Sequence, residues 1–201
     1  SAAQVAGDVN LKVVEVPVGR EPQSVAISNN SRTLFVTNMV DGTVSVINVP
    51  GGEASLAEPV RDIKVGTEPH GCVLTPDGTK LYVANSTSNS ISVIDTRTLN
   101  VTKTITGVGV RPMALGIQNN KLYVTNFYAQ LRQNGRTFDQ NEGADDGREG
   151  RVTVINTVTD TVAKTIPLAP LDPVKVGFNS NGTTLGKIPP RNNAQGQPLF
   201  D

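Results

Sequence analysis

The chain has 201 residues, with 18 basic and 18 acidic side chains, one His and one Cys. That length suits one large domain or two small ones, and a repeat through most of the chain favours one, residues 1–201 forming part of a single domain. Zero net charge with no basic cluster leaves no electrostatic footprint for nucleic acid, and a single Cys excludes an intrachain disulfide framework.

Cys72 lies in the apolar stretch Gly71-Cys-Val-Leu74, where a small core residue is expected in place of a reactive thiol. No apolar run approaches the roughly 20 residues that span a bilayer, so no membrane span is predicted. The start, Ser1-Ala-Ala-Gln4, lacks the apolar core of a signal peptide and equally resembles a processed N-terminus. Four Asn-x-Ser/Thr sequons, at Asn29, Asn85, Asn100 and Asn181, are what chance supplies in an Asn- and Thr-rich chain.

In chain order, Leu11–Val18 reads as an orphan fourth strand belonging to another blade. A four-strand unit then recurs. Each copy opens on a proline turn and a short apolar strand: Glu21-Pro22 to Ile27, Glu68-Pro69 to Leu74, Arg111-Pro112 to Ile117 and Asp172-Pro173 to Phe178. Small residues in these strands, Ala26, Gly71, Ala114, Gly116 and Gly177, suit the crowded innermost strand of a radial array. Asn29-Asn30, Pro76-Asp-Gly78, Asn119-Asn120 and Asn179-Ser-Asn-Gly182 follow as hairpin turns, because Asn, Asp and Gly tolerate positive φ.

The second strand carries a phrase written three times: Thr33-Leu-Phe-Val-Thr-Asn38, Lys80-Leu-Tyr-Val-Ala-Asn85 and Lys121-Leu-Tyr-Val-Thr-Asn126. The third strand is Val44-Ser-Val-Ile-Asn48, Ile91-Ser-Val-Ile-Asp95 and Val152-Thr-Val-Ile-Asn156, and the fourth is Val60–Val65, Val101–Ile105 and Val162–Ile166. Four strands every 40 to 45 residues or so are the signature of a β-propeller blade. The predicted fold is therefore all-β, with full blades at about 20–66, 67–108 and 109–168, a partial one at 171–188 and an irregular tail at 189–201. Three blades with partial flanks cannot close a ring, since a propeller needs roughly four to eight. The remainder of the same propeller, or a protein partner, is expected to complete it.

The phrases Leu81-Tyr-Val-Ala-Asn85, Leu122-Tyr-Val-Thr-Asn126, Pro76-Asp-Gly-Thr-Lys80 and Ile91-Ser-Val-Ile-Asp95 resemble the YVTN-type β-propeller repeats of surface-layer and periplasmic proteins. The resemblance covers about residues 10–188 and implies a seven-bladed ring and an extracytoplasmic location, periplasmic, secreted or cell-surface. It specifies a fold and leaves activity open.

Two features depart from packing. The third copy is interrupted between its second and third strands by residues 127–151, which mix three aromatics, four arginines and five carboxylates. Loops of that length without structure of their own tend to be functional or disordered. Turns alternate between the two ends of a blade, so the insert shares an end with the lead-in turns. The candidate binding face is thus Arg20, Glu21, Gln23, Glu68, His70, Arg111, Asp172, Phe127, Tyr128, Arg132, Arg136 and Phe138. A calcium site at Asp139, Asn141 and Asp145 has suitable oxygen donors but misses the spacing of an EF-hand loop, and surface ion pairing with the nearby arginines is preferred.

The second feature is His70. A lone imidazole cannot build a multi-His metal site, and streptogramin lyases and some copper-containing reductases, other propellers with His at such positions, only suggest a comparison. No catalytic residue is assigned; His70 aided by Glu68 or Arg111 is the one candidate for a general base. No nucleophile elbow, phosphate loop, dinucleotide fingerprint or haem attachment motif occurs, and no cofactor is expected. The leading expectation is a noncatalytic propeller segment serving as a binding platform or assembly scaffold in an exported or cell-surface protein. The alternative is the propeller portion of a lyase, lactonase or redox enzyme whose remaining site lies outside this chain.

Overall fold

A computed structural model describes residues 14–131, 148–168, 191–192 and 198–199. Its chain divides into two compact units, residues 1–127 with 152–165, and residues 128–151 with 166–201.

The first unit holds three four-stranded antiparallel sheets. Blade A is β1 (Pro22–Ile27), β2 (Thr33–Asn38), β3 (Thr43–Asn48) and β4 (Glu58–Lys64), in that order. Blade B is β5 (Pro69–Leu74), β6 (Lys80–Asn85), β7 (Ser90–Asp95) and β8 (Asn100–Ile105). Blade C is β9 (Pro112–Gln118) and β10 (Lys121–Asn126), followed after the insert by β13 (Arg151–Asn156) and β14 (Thr161–Pro167). The strands of blades A, B and C span residues 22–64, 69–105 and 112–167. The described part of the expected orphan strand, residues 14–18, joins no sheet. β3 already has β4 on its outer edge, so blade A has no place for another fourth strand.

The repeated phrase forms a strand because its side chains alternate across the sheet and both faces are covered. Leu81 and Val83 of β6 enter a core with Phe35, Val44, Val46 and Ile63 of blade A. Tyr82 and Ala84 enter a second core with Leu122, Val124 and Ile155 of blade C. Blade B is thus buried on both faces, and the interior of this unit is two inter-blade layers. β5 lies between β1 and β9 as the innermost strand.

There the expected crowding is visible. A Cβ placed on Gly71 would stand 2.5 Å from the carbonyl oxygen of Met113, so only glycine lets β5 approach β9 this closely. A Cβ on Gly116, at the place in β9 that Val73 holds in β5, would meet nothing within 4 Å.

In the second unit the insert begins and ends as a short antiparallel ladder, β11 (Gln130–Leu131) with β12 (Arg148–Glu149). The tail, expected to be irregular, contains a second small pair, β15 (Arg191–Asn192) with β16 (Pro198–Leu199). The partial blade at 171–188 lies outside the described residues.

Candidate functional site

The three lead-in turns share one construction. A glycine, an arbitrary residue, a charged residue and proline occur in sequence as Gly19–Pro22, Gly66–Pro69 and Gly109–Pro112. Each glycine lies against the Asn that closes the repeated phrase. Added Cβ atoms would stand 2.7 Å from Asn38 at Gly19, 2.6 Å from Asn85 at Gly66 and 2.7 Å from Asn126 at Gly109. Asn85 shows why the Asn is there: its Oδ1 accepts from the Gly66 N–H at 3.1 Å, and its Nδ2 donates to Ser90 and Ser92 Oγ at 3.2 and 2.9 Å. Asn38 repeats the donor half, to Thr43 and Ser45. Asn85 is fully buried and its side-chain amide is in use, so the sequon at this position is closed in the folded protein.

The charged residue before each proline has a left-handed backbone, with φ of 53° at Glu21, 52° at Glu68 and 51° at Arg111. Non-glycine residues adopt that conformation at a cost of about 1–3 kcal/mol, and only when their surroundings hold them. Here the hold is a hydrogen bond to each strained carbonyl from the residue after the closing Asn: Met39 N–H to Glu21, Ser86 N–H to Glu68 and Phe127 N–H to Arg111. Strain repeated identically in three blades is an architectural device, since a single active centre would need it once.

These turns bring several of the sequence-selected residues to one end of the first unit. Arg20 clasps the β2–β3 turn, its side chain 2.7 Å from Asp41 and its backbone N–H donating to the same carboxylate. Those bonds from Arg20, the backbone one foremost, hold the Asp41 carboxyl below its ordinary range. Glu68 accepts from the Thr87 hydroxyl at 2.6 Å and from Arg111 at 3.3 Å. The Arg111 N–H donates in turn to Asn89 Oδ1 at 2.8 Å, joining blades B and C. Glu21 and Gln23 are exposed at the same end.

His70 sits in a bulge. The register of β5 on β6 slips between Pro69 and Cys72, as the register of β1 on β2 slips at Gln23. Bulges re-aim side chains. The His70 carbonyl accepts from Thr37 Oγ1 at 2.7 Å, tying blade B to blade A. Its imidazole makes no hydrogen bond to Glu68 or Arg111, which are engaged with each other and with Thr87. Cys72 is half-buried beside Ser24, and burial pushes its thiol up, away from the thiolate.

Exposed apolar side chains stand among these paired charges. Phe127 is 65% exposed, Val40 46% and Val110 42%, all in segments at the lead-in end. Tyr128, in the second unit, is 50% exposed. Asp172, Arg132, Arg136 and Phe138 of the expected binding face, and the calcium candidates Asp139, Asn141 and Asp145, lie outside the described residues. Among the described residues, no group of three or more His, Cys, Asp or Glu side chains is placed to hold a metal ion, and no helix is long and apolar enough to cross a membrane.

Sequence reasoning missed one polar cluster, at the opposite end of the blades. Lys80 Nζ lies 2.7 Å from Asp160 Oδ2 and 2.9 Å from the Thr157 carbonyl, and the Tyr82 hydroxyl donates to Asp160 Oδ1 at 2.5 Å. Tyr82 has no exposed surface; burial first, then the neighbouring carboxylate, drives its phenol well above the ordinary value. The signal was present as a difference between copies: Phe35 and Leu99 occupy the corresponding places between blades A and B.

Radially related four-stranded blades, each opening on a proline turn and buried against its neighbours, define a β-propeller. The profile of the YNCE-like beta-propeller family matches residues 13–157, and the chain belongs to that family. Among solved structures it is similar to Kuenenia stuttgartiensis hydrazine synthase, at 22% identity and a TM-score of 0.61 over 78% of this chain and 40% of that one. It is also similar to a functionally unknown protein from Desulfotomaculum acetoxidans DSM 771, at 20% identity and a TM-score of 0.56 over 78% of this chain and 46% of that one. The WD40 repeats of RRP9 match at 14% identity and a TM-score of 0.56, over 78% of this chain and 41% of that one. At such identities the likeness is one of fold. The chain spans less than half the length of each of these structures. No curated protein sequence matches it.

Proposed function

We propose that this chain is a noncatalytic segment of a larger propeller in an exported or cell-surface protein, and that its lead-in end is a binding platform for a protein partner. The observation that carries this reading is the composition of that end. Arg20 is paired there with Asp41 and Arg111 with Glu68 within the chain, while Val110 and Val40 are exposed and Phe127 is 65% exposed. Apolar anchors among internally satisfied polar groups suit association with another protein surface, where unpaired charges would be expensive to bury. The repeated lead-in strain supports the same reading, because it serves the scaffold equally in every blade. The exported setting rests on the resemblance to surface-layer and periplasmic repeats.

The test is association measured on variants. Phe127→Ser with Val110→Ser, or deletion of residues 129–149, should weaken partner binding at least tenfold and leave the strand signal in circular dichroism unchanged. Binding that survives both changes ends the proposal. His70→Ala should leave binding intact; abolished turnover at unchanged stability would instead indicate the enzyme reading.

A further inference from the structure

The outward side of blade C carries the same two side chains that blade B uses to hold blade C. Lys80 and Tyr82 stand on β6 opposite Asp95 and Val93 of β7, and Lys121 and Tyr123 stand on β10 opposite Asn156 and Val154 of β13. The register is identical. On blade B both side chains are satisfied by Asp160 of the next blade. On blade C, Lys121 is exposed and Tyr123 half-buried, and among the described residues neither side chain has a hydrogen-bonding partner. The neighbouring inner strand is open in the same way: a Cβ added to Gly116, which holds in β9 the place of Val73 in β5, would find no atom within 4 Å, whereas Val73 packs against the core shared with blade C.

We infer that Lys121 and Tyr123 are a docking clasp for one further blade, which inserts an aspartate between them from the turn joining its third and fourth strands. The turn that supplies Asp160 defines the chemistry required. It reads Asn156-Thr-Val-Thr-Asp160, with Asn156 Oδ1 accepting from the N–H groups of Val158 and Thr159, and with Asp160 at a φ of 53°. Blade B builds the same turn on Asp95 and reaches Leu99 at a φ of 55°. The turn is therefore a common frame, and its last residue selects the partner: Leu99 for the side of blade A that carries Phe35, Asp160 for the side of blade B that carries Tyr82. A surface presenting Lys and Tyr calls for the carboxylate form.

A second copy of this chain, docking by blade A, does not meet the requirement. Its connection from β3 to β4 runs over residues 49–57 through two single 3-10 turns, Pro50–Gly52 and Ala54–Leu56, and offers no such turn.

The inference rests on the reading of this chain as part of a larger propeller, and its test is separable from that of the binding platform. The protein purified from the cells that make it is treated with a zero-length carbodiimide, which joins a lysine amine to a touching carboxylate, and linked peptides are sequenced. The Lys80–Asp160 link is the internal standard. The expected result is a second link, from Lys121 to an aspartate at the end of an Asx-Thr-x-Thr-Asp turn between two strands of a further blade. A link from Lys121 to a second copy of this chain, or to a carboxylate outside such a turn, overturns the inference. So does formation of the standard with none at Lys121.

A thermal measurement adds an independent arm. Lys121→Met with Tyr123→Phe should lower the midpoint of the assembled protein by several degrees and leave the 201-residue chain unmoved; equal shifts in both also overturn it. Loss of partner binding in the Phe127 and Val110 variants with the Lys121 link retained would separate the two proposals.

Discussion

The two inter-blade layers are both apolar cores, and they differ in the chemistry of one facing pair of residues. Between blades A and B, Phe35 is 1% exposed in an apolar cluster against which Leu99 packs. Between blades B and C the corresponding ring is a tyrosine, and the corresponding turn residue is an aspartate that also holds Lys80. An apolar contact is indifferent to direction and tolerates many neighbours. A buried hydroxyl and carboxylate must find each other or leave groups unsatisfied. The A/B layer supplies adhesion, and the B/C layer adds a statement of which blade follows which.

Truncating the apolar layer should produce the largest effect. Phe35→Ala is expected to destabilise the chain by about 3–5 kcal/mol, measured by denaturant unfolding, since a large aromatic leaves a cavity in a packed core. A cost near zero would mean that the A/B layer is loosely packed and would void the contrast. Next comes a transplant of one chemistry into the other layer. Phe35→Tyr alone should cost about 1–3 kcal/mol by bringing a hydroxyl against an apolar turn, and adding Leu99→Asp should recover part of that loss. Additive costs across the double-mutant cycle would show that the two positions do not interact.

The smallest effects are pH effects at either end of the scale. Tyr82 has a raised folded value, so its contribution is fully present below the unfolded phenol value of about 10 and is lost as pH climbs beyond it. Tyr82→Phe should flatten the alkaline limb of the stability profile. With three tyrosines and no tryptophan, the absorbance titration that checks this is simple to read. Asp41, Asp77 and Asp95 are depressed instead, by bonds from Arg20, Thr75 and Thr98 respectively. Their contribution is present above about pH 3.9 and fades as pH falls through the folded values. Asp77 is exposed and Asp41 and Asp95 are half-buried, so salt should screen the contribution of Asp77 most.

Much of this fold was legible because its signals are local. Strand alternation in Lys80–Asn85 and the turn residues Pro76-Asp-Gly78 lie within a few positions of what they determine. The innermost crowding was legible from Gly71 for the same reason. What escaped is what depends on distant residues. Gly66 answers to Asn85, 19 positions away, and no property of either residue announces the other. Tyr82 answers to Asp160 across 78 positions and a blade boundary. Arg20, Glu68 and Arg111 occupy equivalent lead-in turns in the alignment of the repeats, but composition could not say that these charges would be spent on Asp41, Thr87 and each other.

Gly71 sets something larger than one contact. Blades arranged about an axis must be thinner along their inner edge than their outer edge, as the stones of an arch are. The missing side chain at Gly71 is that thinness, and it lets β5 stand as close to β9 as it does. A valine there would force β5 away from β9. Ser24 in blade A and Ala114 in blade C stand in the place of Gly71, so small residues recur at this point of every inner strand and glycine is kept for the middle one.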